Sequence, residues 1–132
     1  MSDDIDARLR AIPFFRFLGL SDVRLGEGTA AAGTAFADRF IGNPVANTYH
    51  GGIIASLLEA VASLTVWPDL AGPAPKPINL TVDYLRPALS EALVIRAQIS
   101  RKGRRMASVE SVAWQSDPGK PVAKGLFHFL LV

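Results

Sequence analysis

The residues whose types and spacing could do chemistry are gathered in one stretch: His50-Gly51-Gly52, Glu59 nine positions after the histidine, and Asn43 seven before it. Asn43 to Gly52 reads as a polar loop entering a helix, since Ile54, Leu57, Leu58, Val61 and Leu64 then recur at helical spacing. The first N–H groups of a helix lack acceptors and carry partial positive charge, and paired glycines let a ligand approach the backbone. Such a place can hold a carbonyl oxygen or an oxyanion; a loop chosen only for tight packing would carry the same residues. Glu59 is the only charged residue between His50 and Asp69, and its helical neighbours Ala55, Ser56, Ala62 and Ser63 are all small. This face leaves room for a substrate or a second chain. A carboxylate kept from water there is suited to general base or nucleophilic work; snorkelling to the helix edge or pairing with an arginine is its structural alternative.

Nine residues on a helix are two and a half turns, about 13 Å along the axis and on opposite sides. His50 and Glu59 of one chain therefore cannot grip the same small group. If both act, the site is composite, with His50 and Gly51 from one subunit facing Glu59 of another, and a homodimer is the minimal active unit.

These residues need a frame. The helix is predicted over Gly51–Trp67, stopped by Pro68, and is apolar nearly all round, so the rest of the chain must wrap it. Residues 1–17 are expected to form an N-terminal helical flap whose run stops before Pro13. Val23 to Phe36 suits a pair of strands or one bent strand. After a Pro-, Gly- and Ala-rich linker, Ile78, Leu80, Val82 and Tyr84 alternate with polar residues to give one buried face, as do Leu93, Ile95, Ala97 and Ile99. Met106–Gln115 and Val122–Val132 complete the strands, with turns at Arg101-Lys102-Gly103-Arg104 and Ser116-Asp117-Pro118-Gly119. The pattern is that of a single α+β domain over residues 1–132, an antiparallel sheet wrapped around a long central helix.

Composition narrows the function. At 132 residues, 49% hydrophobic and 20% charged, the chain has enough apolar matter for one core and no more. A formal charge of +2 gives no field that would gather nucleic acid or an anionic membrane. The absence of cysteine removes disulfides, thiolate nucleophiles and cysteine zinc sites together. No G-x-S-x-G elbow is present, Gly26, Gly28 and Gly33 miss the dinucleotide spacing, and no metal-ligand spacing stands out. The acidic start is unlike a secretory signal, and a soluble cytoplasmic protein is expected.

His50-Gly51-Gly52 with Leu57-Leu58-Glu59, then Tyr84-Leu85-Arg86-Pro87, then Gly103-Arg104-Arg105, resembles the hotdog-fold acyl-CoA thioesterases, in particular the phenylacetate-pathway subfamily. The likeness runs from about Phe14 to the end of the chain. It implies hydrolysis of an acyl-CoA thioester to a free acid and coenzyme A, with no metal or redox cofactor. Glu59 would be the catalytic carboxylate, as base or nucleophile, and the Gly51 N–H would polarise the carbonyl. His50 and Asn43 would orient thioester and water, and Gly52 would let the substrate approach. Arg101, Lys102, Arg104 and Arg105 would meet the phosphates of coenzyme A, since guanidinium suits phosphate oxygens. Relatives commonly place the asparagine six residues before the histidine, and often carry Ser or Thr where this chain has Pro77. Homotetramers built of dimers are common among them. A hotdog hydratase or dehydratase and a non-catalytic acyl-CoA binding module remain as alternatives.

Overall fold

Around the apolar run that begins at Gly51, the computed structural model, which describes residues 2–131, builds one helix and curls a sheet about it. Two short helices lead in, α1 (Ser2–Arg10) and α2 (Pro13–Leu18), followed by the hairpin of β1 (Ser21–Gly26) and β2 (Thr29–Thr34). A small ribbon, β3 (Ile41–Asn43) and β4 (Thr48–Tyr49), delivers the chain to the central helix α3 (Gly51–Leu64). The rest is β5 (Pro77–Tyr84), β6 (Leu93–Lys102), β7 (Met106–Trp114) and β8 (Ala123–Leu130). The large sheet runs β1-β2-β6-β7-β8-β5 with every neighbour antiparallel.

The helix ends earlier than its apolar pattern. Thr65 caps it, and Trp67, held off the helical region by the following proline, leaves it at φ −110° and ψ 89°. Leu57, Leu58, Val61 and Ala62 have no exposed surface and pack with Ile95, Val109, Phe127 and Phe129 of the sheet in one core. The N-terminal segment is anchored to this core. Leu9, Phe15 and Leu18 are buried, Phe15 meets Trp67 edge-on at 6.2 Å, and Arg8 donates to the carbonyls of Asp69 and Leu70 at 2.8 and 3.0 Å. Pro13 also opens a second helix, where its fixed φ suits the first helical position.

One expected buried face is open. Val82 is partly buried, but Ile78, Leu80 and Tyr84 are 59%, 45% and 54% exposed, although their partners Phe127 and Ala123 on β8 are buried. The reason is position: among the described residues β5 is the last strand of the sheet, with β8 on one side and no strand on the other. Its apolar row lies on the helix side, beyond the cover that one helix provides.

On the helix side, Ala97, Ser111 and Gly125 stand in register across β6, β7 and β8, a row of small residues that lets α3 come close. Ser111 is buried, and its hydroxyl has no hydrogen-bond partner among the described residues. An orphaned buried hydroxyl costs its desolvation without return. Ser111→Ala is therefore expected to stabilise the fold by about 1 kcal/mol, read as a higher urea midpoint at unchanged slope; a lower midpoint would reveal an acceptor for the hydroxyl.

Candidate active site

His50 is the cap of α3, not part of it, with φ −66° and ψ 133°. The β3–β4 ribbon fixes it there: its N–H donates to the Phe40 carbonyl at 2.7 Å, and Gly42 passes so close that a Cβ built on it would lie 2.5 Å from His50 Cα. Only glycine fits at position 42. The His50 ring folds back so that Nδ1 accepts from the Gly52 N–H at 2.9 Å, which leaves the ring proton on Nε2. The His50 carbonyl accepts from Ile53 at 3.0 Å and Ile54 at 3.3 Å. Gly51 N–H is thus the one first-turn donor with no acceptor among the described residues, at the positive end of the helix dipole.

Gly51 touches a second element. The Tyr84 hydroxyl donates to its carbonyl at 2.8 Å, and a Cβ on Gly51 would stand 3.3 Å from Tyr84 Cζ and Oη. The two glycines each cost a helix about 1 kcal/mol against alanine. Side-chain ties at both of them offset that freedom.

Asn43 sits on the far arm of the ribbon. Its carboxamide oxygen accepts from the N–H groups of Val45 and Ala46 at 3.0 and 3.1 Å, an Asx turn that shapes the loop and leaves only its NH2 to reach outward. Tyr49, next to His50, is buried; its hydroxyl donates to the Glu91 carbonyl at 2.7 Å, and burial pushes its pKa up to about 12.

Glu59 is half-buried on α3. Burial raises its pKa above the ordinary carboxylate value, and the nearby Lys76 ammonium works in the opposite direction. Its small neighbours divide. Ala62 and Ser63 are buried in the core, with Ser63 Oγ donating to the Ala60 carbonyl, while Ala55 and Ser56 stay partly open. Because His50 is the cap, the relevant count runs from Gly51. Glu59 is eight residues on, about 12 Å along the axis, so the axial separation expected from the sequence survives while the half-turn opposition does not apply.

The basic residues are elsewhere. Tyr84 pairs with Ala123 and Ala113 with Ala123 at the Gly51 end of the sheet, whereas Met106 pairs with Leu130 and Lys102 with Ala107 at the other. Arg101, Lys102, Arg104 and Arg105 are exposed on the β6–β7 hairpin, the length of β7 away, about 26 Å. Pro77 starts β5 at that same end, directly after Lys76. Within one chain, then, Gly51, Gly52 and His50 form one group, Glu59 with Lys76 a second, and the hairpin lies at Glu59's end of β5. His128, on the outer face, is satisfied by Ser108 Oγ at 2.9 Å from its Nδ1. Lys76 has no signal in the sequence that would mark it, and Tyr84 stands out there only as part of its Tyr-Leu-Arg-Pro run.

A family model described as the acyl-CoA thioesterase N-terminal domain matches residues 42–130. The chain belongs to the acyl-CoA thioesterase family. It is a thioester hydrolase, and its sheet wrapped on α3 is the hotdog fold. Among solved structures, a thioesterase-superfamily protein is 29% identical, with 98% of this chain and 97% of that one covered at a TM-score of 0.85. The phenylacetic acid degradation-related protein of Ralstonia eutropha JMP134 is 28% identical, with 95% and 98% covered at 0.77. Thioesterase superfamily member 2 of Mus musculus, 20% identical with 100% and 98% covered at 0.81, shares the fold. A search of curated proteins returns no match. The matched segment of this thioesterase contains every residue singled out above for chemistry, from Asn43 through the Arg104-Arg105 pair.

Proposed function

We propose that this thioesterase hydrolyses acyl-CoA esters at a composite site in a homodimer. The observation that carries this is the free Gly51 N–H at the head of a capped helix, with a desolvated Glu59 about 12 Å away on the same helix. The thioester carbonyl accepts from Gly51 N–H of one subunit, with His50 Nε2–H and the Asn43 amide orienting it and the attacking water. Glu59 of the other subunit, as a carboxylate, takes a proton from that water while its oxygen bonds to the carbonyl carbon. The C–S bond then breaks, giving the acid and coenzyme A, with the proton passing to the leaving sulfur; attack by Glu59 itself, followed by hydrolysis of the anhydride, reaches the same products. Water is the only co-substrate, and neither metal nor redox cofactor takes part.

The uncovered helix-side row of β5 supports the homodimer. An edge strand carrying Ile78, Leu80 and Tyr84 into solvent is a template for pairing. Antiparallel pairing of β5 with its copy sets the Gly51 end of one subunit beside the Glu59 and hairpin end of the other. Dimers of this kind assembling further into homotetramers, in the cytoplasm, complete the reading. Among the described residues no helix is long and apolar enough to cross a membrane.

A thiol-release screen over aryl, short, medium and long acyl-CoA esters tests the activity, with mass analysis of the products. Free thiol from at least one class is expected. Binding without turnover would identify an acyl-CoA binding module, and water added to an enoyl ester with no thiol released would identify a hydratase.

Charge on the hairpin gives a further expectation. With Arg104 and Arg105 both changed to Ala, KM for acyl-CoA should rise and its salt dependence weaken, with kcat much less affected. A truncated pantetheine ester, which lacks the nucleotide phosphates, is the control. If its KM moves as much as that of the full ester, the phosphate role of Arg101, Lys102, Arg104 and Arg105 is wrong.

A further inference from the structure

Gly51 and Gly52 give the site its open approach, and two adjacent glycines also give it the widest backbone freedom in any helix. Each is tied by one side chain. The His50 ring holds the Gly52 N–H, and the Tyr84 hydroxyl holds the Gly51 carbonyl at 2.8 Å while its ring rests against the glycine Cα side. Tyr84 is itself rigidly placed. It pairs with buried Ala123 of the interior strand β8, and the next two N–H groups, of Leu85 and Arg86, both donate to the Val122 carbonyl at 2.8 and 3.3 Å. Arg86 adds a side-chain bond to the Pro121 carbonyl at 2.9 Å. An unbroken line of contacts thus runs from an interior strand through Tyr84 to the residue whose N–H stands free.

We infer that Tyr84 is a positioning residue for the thioesterase reaction: its hydroxyl holds the carbonyl of the Gly51–Gly52 peptide while the His50 ring holds the N–H of that same peptide, so the two together fix the first turn of α3 and with it the direction of His50 Nε2–H. The inference rests on the reading that the Gly51 N–H and His50 Nε2–H meet the thioester. A donor aimed at an oxygen gains most where that oxygen becomes an oxyanion, so a clamp on its direction acts on the transition state far more than on substrate binding. The edge position of β5 adds a consequence. Tyr84 joins the strand offered for pairing to the helix start, so the second subunit docks against the residue that sets the donor.

Tyr84→Phe keeps the ring over Gly51 and removes only the hydroxyl. In the 15N-labelled protein, amide exchange at Gly52, whose N–H is bonded to His50 Nδ1 and shares its peptide with the clamped carbonyl, should quicken about fivefold or more, while exchange at Val109 and Ala113 in β7 stays as in the wild type. With the best acyl-CoA ester, kcat should fall about five- to tenfold and KM should stay within about twofold. Unchanged exchange at Gly52 overturns the clamp. A fall in kcat with unchanged exchange would mean that the hydroxyl meets the substrate directly, and faster exchange with unchanged kcat would mean that the placement of this turn does not matter to the reaction; either result overturns the assignment. Wild-type thiol release is scored separately: its absence defeats the thioesterase reading, while the exchange measurement still decides the clamp.

Discussion

Glu59→Gln is expected to lower kcat by at least about a hundredfold, the scale of losing a general base or nucleophile, with coenzyme A binding nearly intact. The amide keeps the size and hydrogen-bonding shape of the acid, so the loss isolates its charge and basicity. Only the carboxylate form works in either role, and burial raises the Glu59 pKa. Wild-type kcat should therefore fall on acidification with a midpoint above the ordinary glutamate range. The same shift makes a statement about stability. A carboxyl whose folded pKa is raised binds its proton more tightly in the folded state, so stability falls as pH rises from the unfolded value through the folded one. At neutral pH Glu59 is a net burden on the fold. Glu59→Gln should thus show a higher melting midpoint than wild type at pH 7, and the gap should close at a pH below both values. A variant that keeps most of its kcat rejects the catalytic assignment; one that melts lower at pH 7 rejects the desolvated carboxylate.

That single residue was legible in the sequence because a lone charge inside an apolar helical run has few explanations. The helix was legible for the same reason, since a period of 3.6 survives whatever packs against it. Its end was not, because Val66 and Trp67 are as apolar as the core they join, and the last turn tightens at Thr65 and Val66, whose N–H groups bond three residues back, before the constraint that Pro68 places on Trp67. The alternation of Ile78, Leu80, Val82 and Tyr84 correctly gave a strand with an apolar face. It could not say what covers that face, since periodicity records which side is apolar and carries no information on whether the cover comes from the same chain. Tyr84 shows a related limit. Its bond to Gly51 spans 33 residues and depends on the register of β5 against β8, which no local pattern encodes. The basic hairpin was visible as charge near a turn, but its distance from Gly51 follows only once the strands are paired.

Inactive variants should restore one another's activity when mixed. Counting from Gly51, Glu59 lies about 12 Å along its own helix, so one thioester cannot be served by both from one chain. Let one parent carry Glu59→Gln and the other Gly51→Pro. Proline suits the first helical position, and His50 already has the extended ψ of 133° that a following proline requires, so the second change chiefly removes the N–H. The Tyr84 ring lies 3.3 Å from where Cβ would be, so some adjustment there is unavoidable, and His50→Ala serves as a parallel parent that spares the contact. Each parent alone places a lesion in both sites of its dimer. In a mixed dimer, one site receives both lesions and the other pairs an intact Gly51 with an intact Glu59. Random assortment makes half of the dimers mixed, each with one working site of two, so about a quarter of wild-type kcat should return when the parents are co-expressed in equal amounts. Native mass spectrometry verifies that the mixed species has formed. Restored activity near that level requires Gly51 and Glu59 to act across a two-fold interface, whereas confirmed mixed dimers no more active than their parents would reject a site shared between subunits.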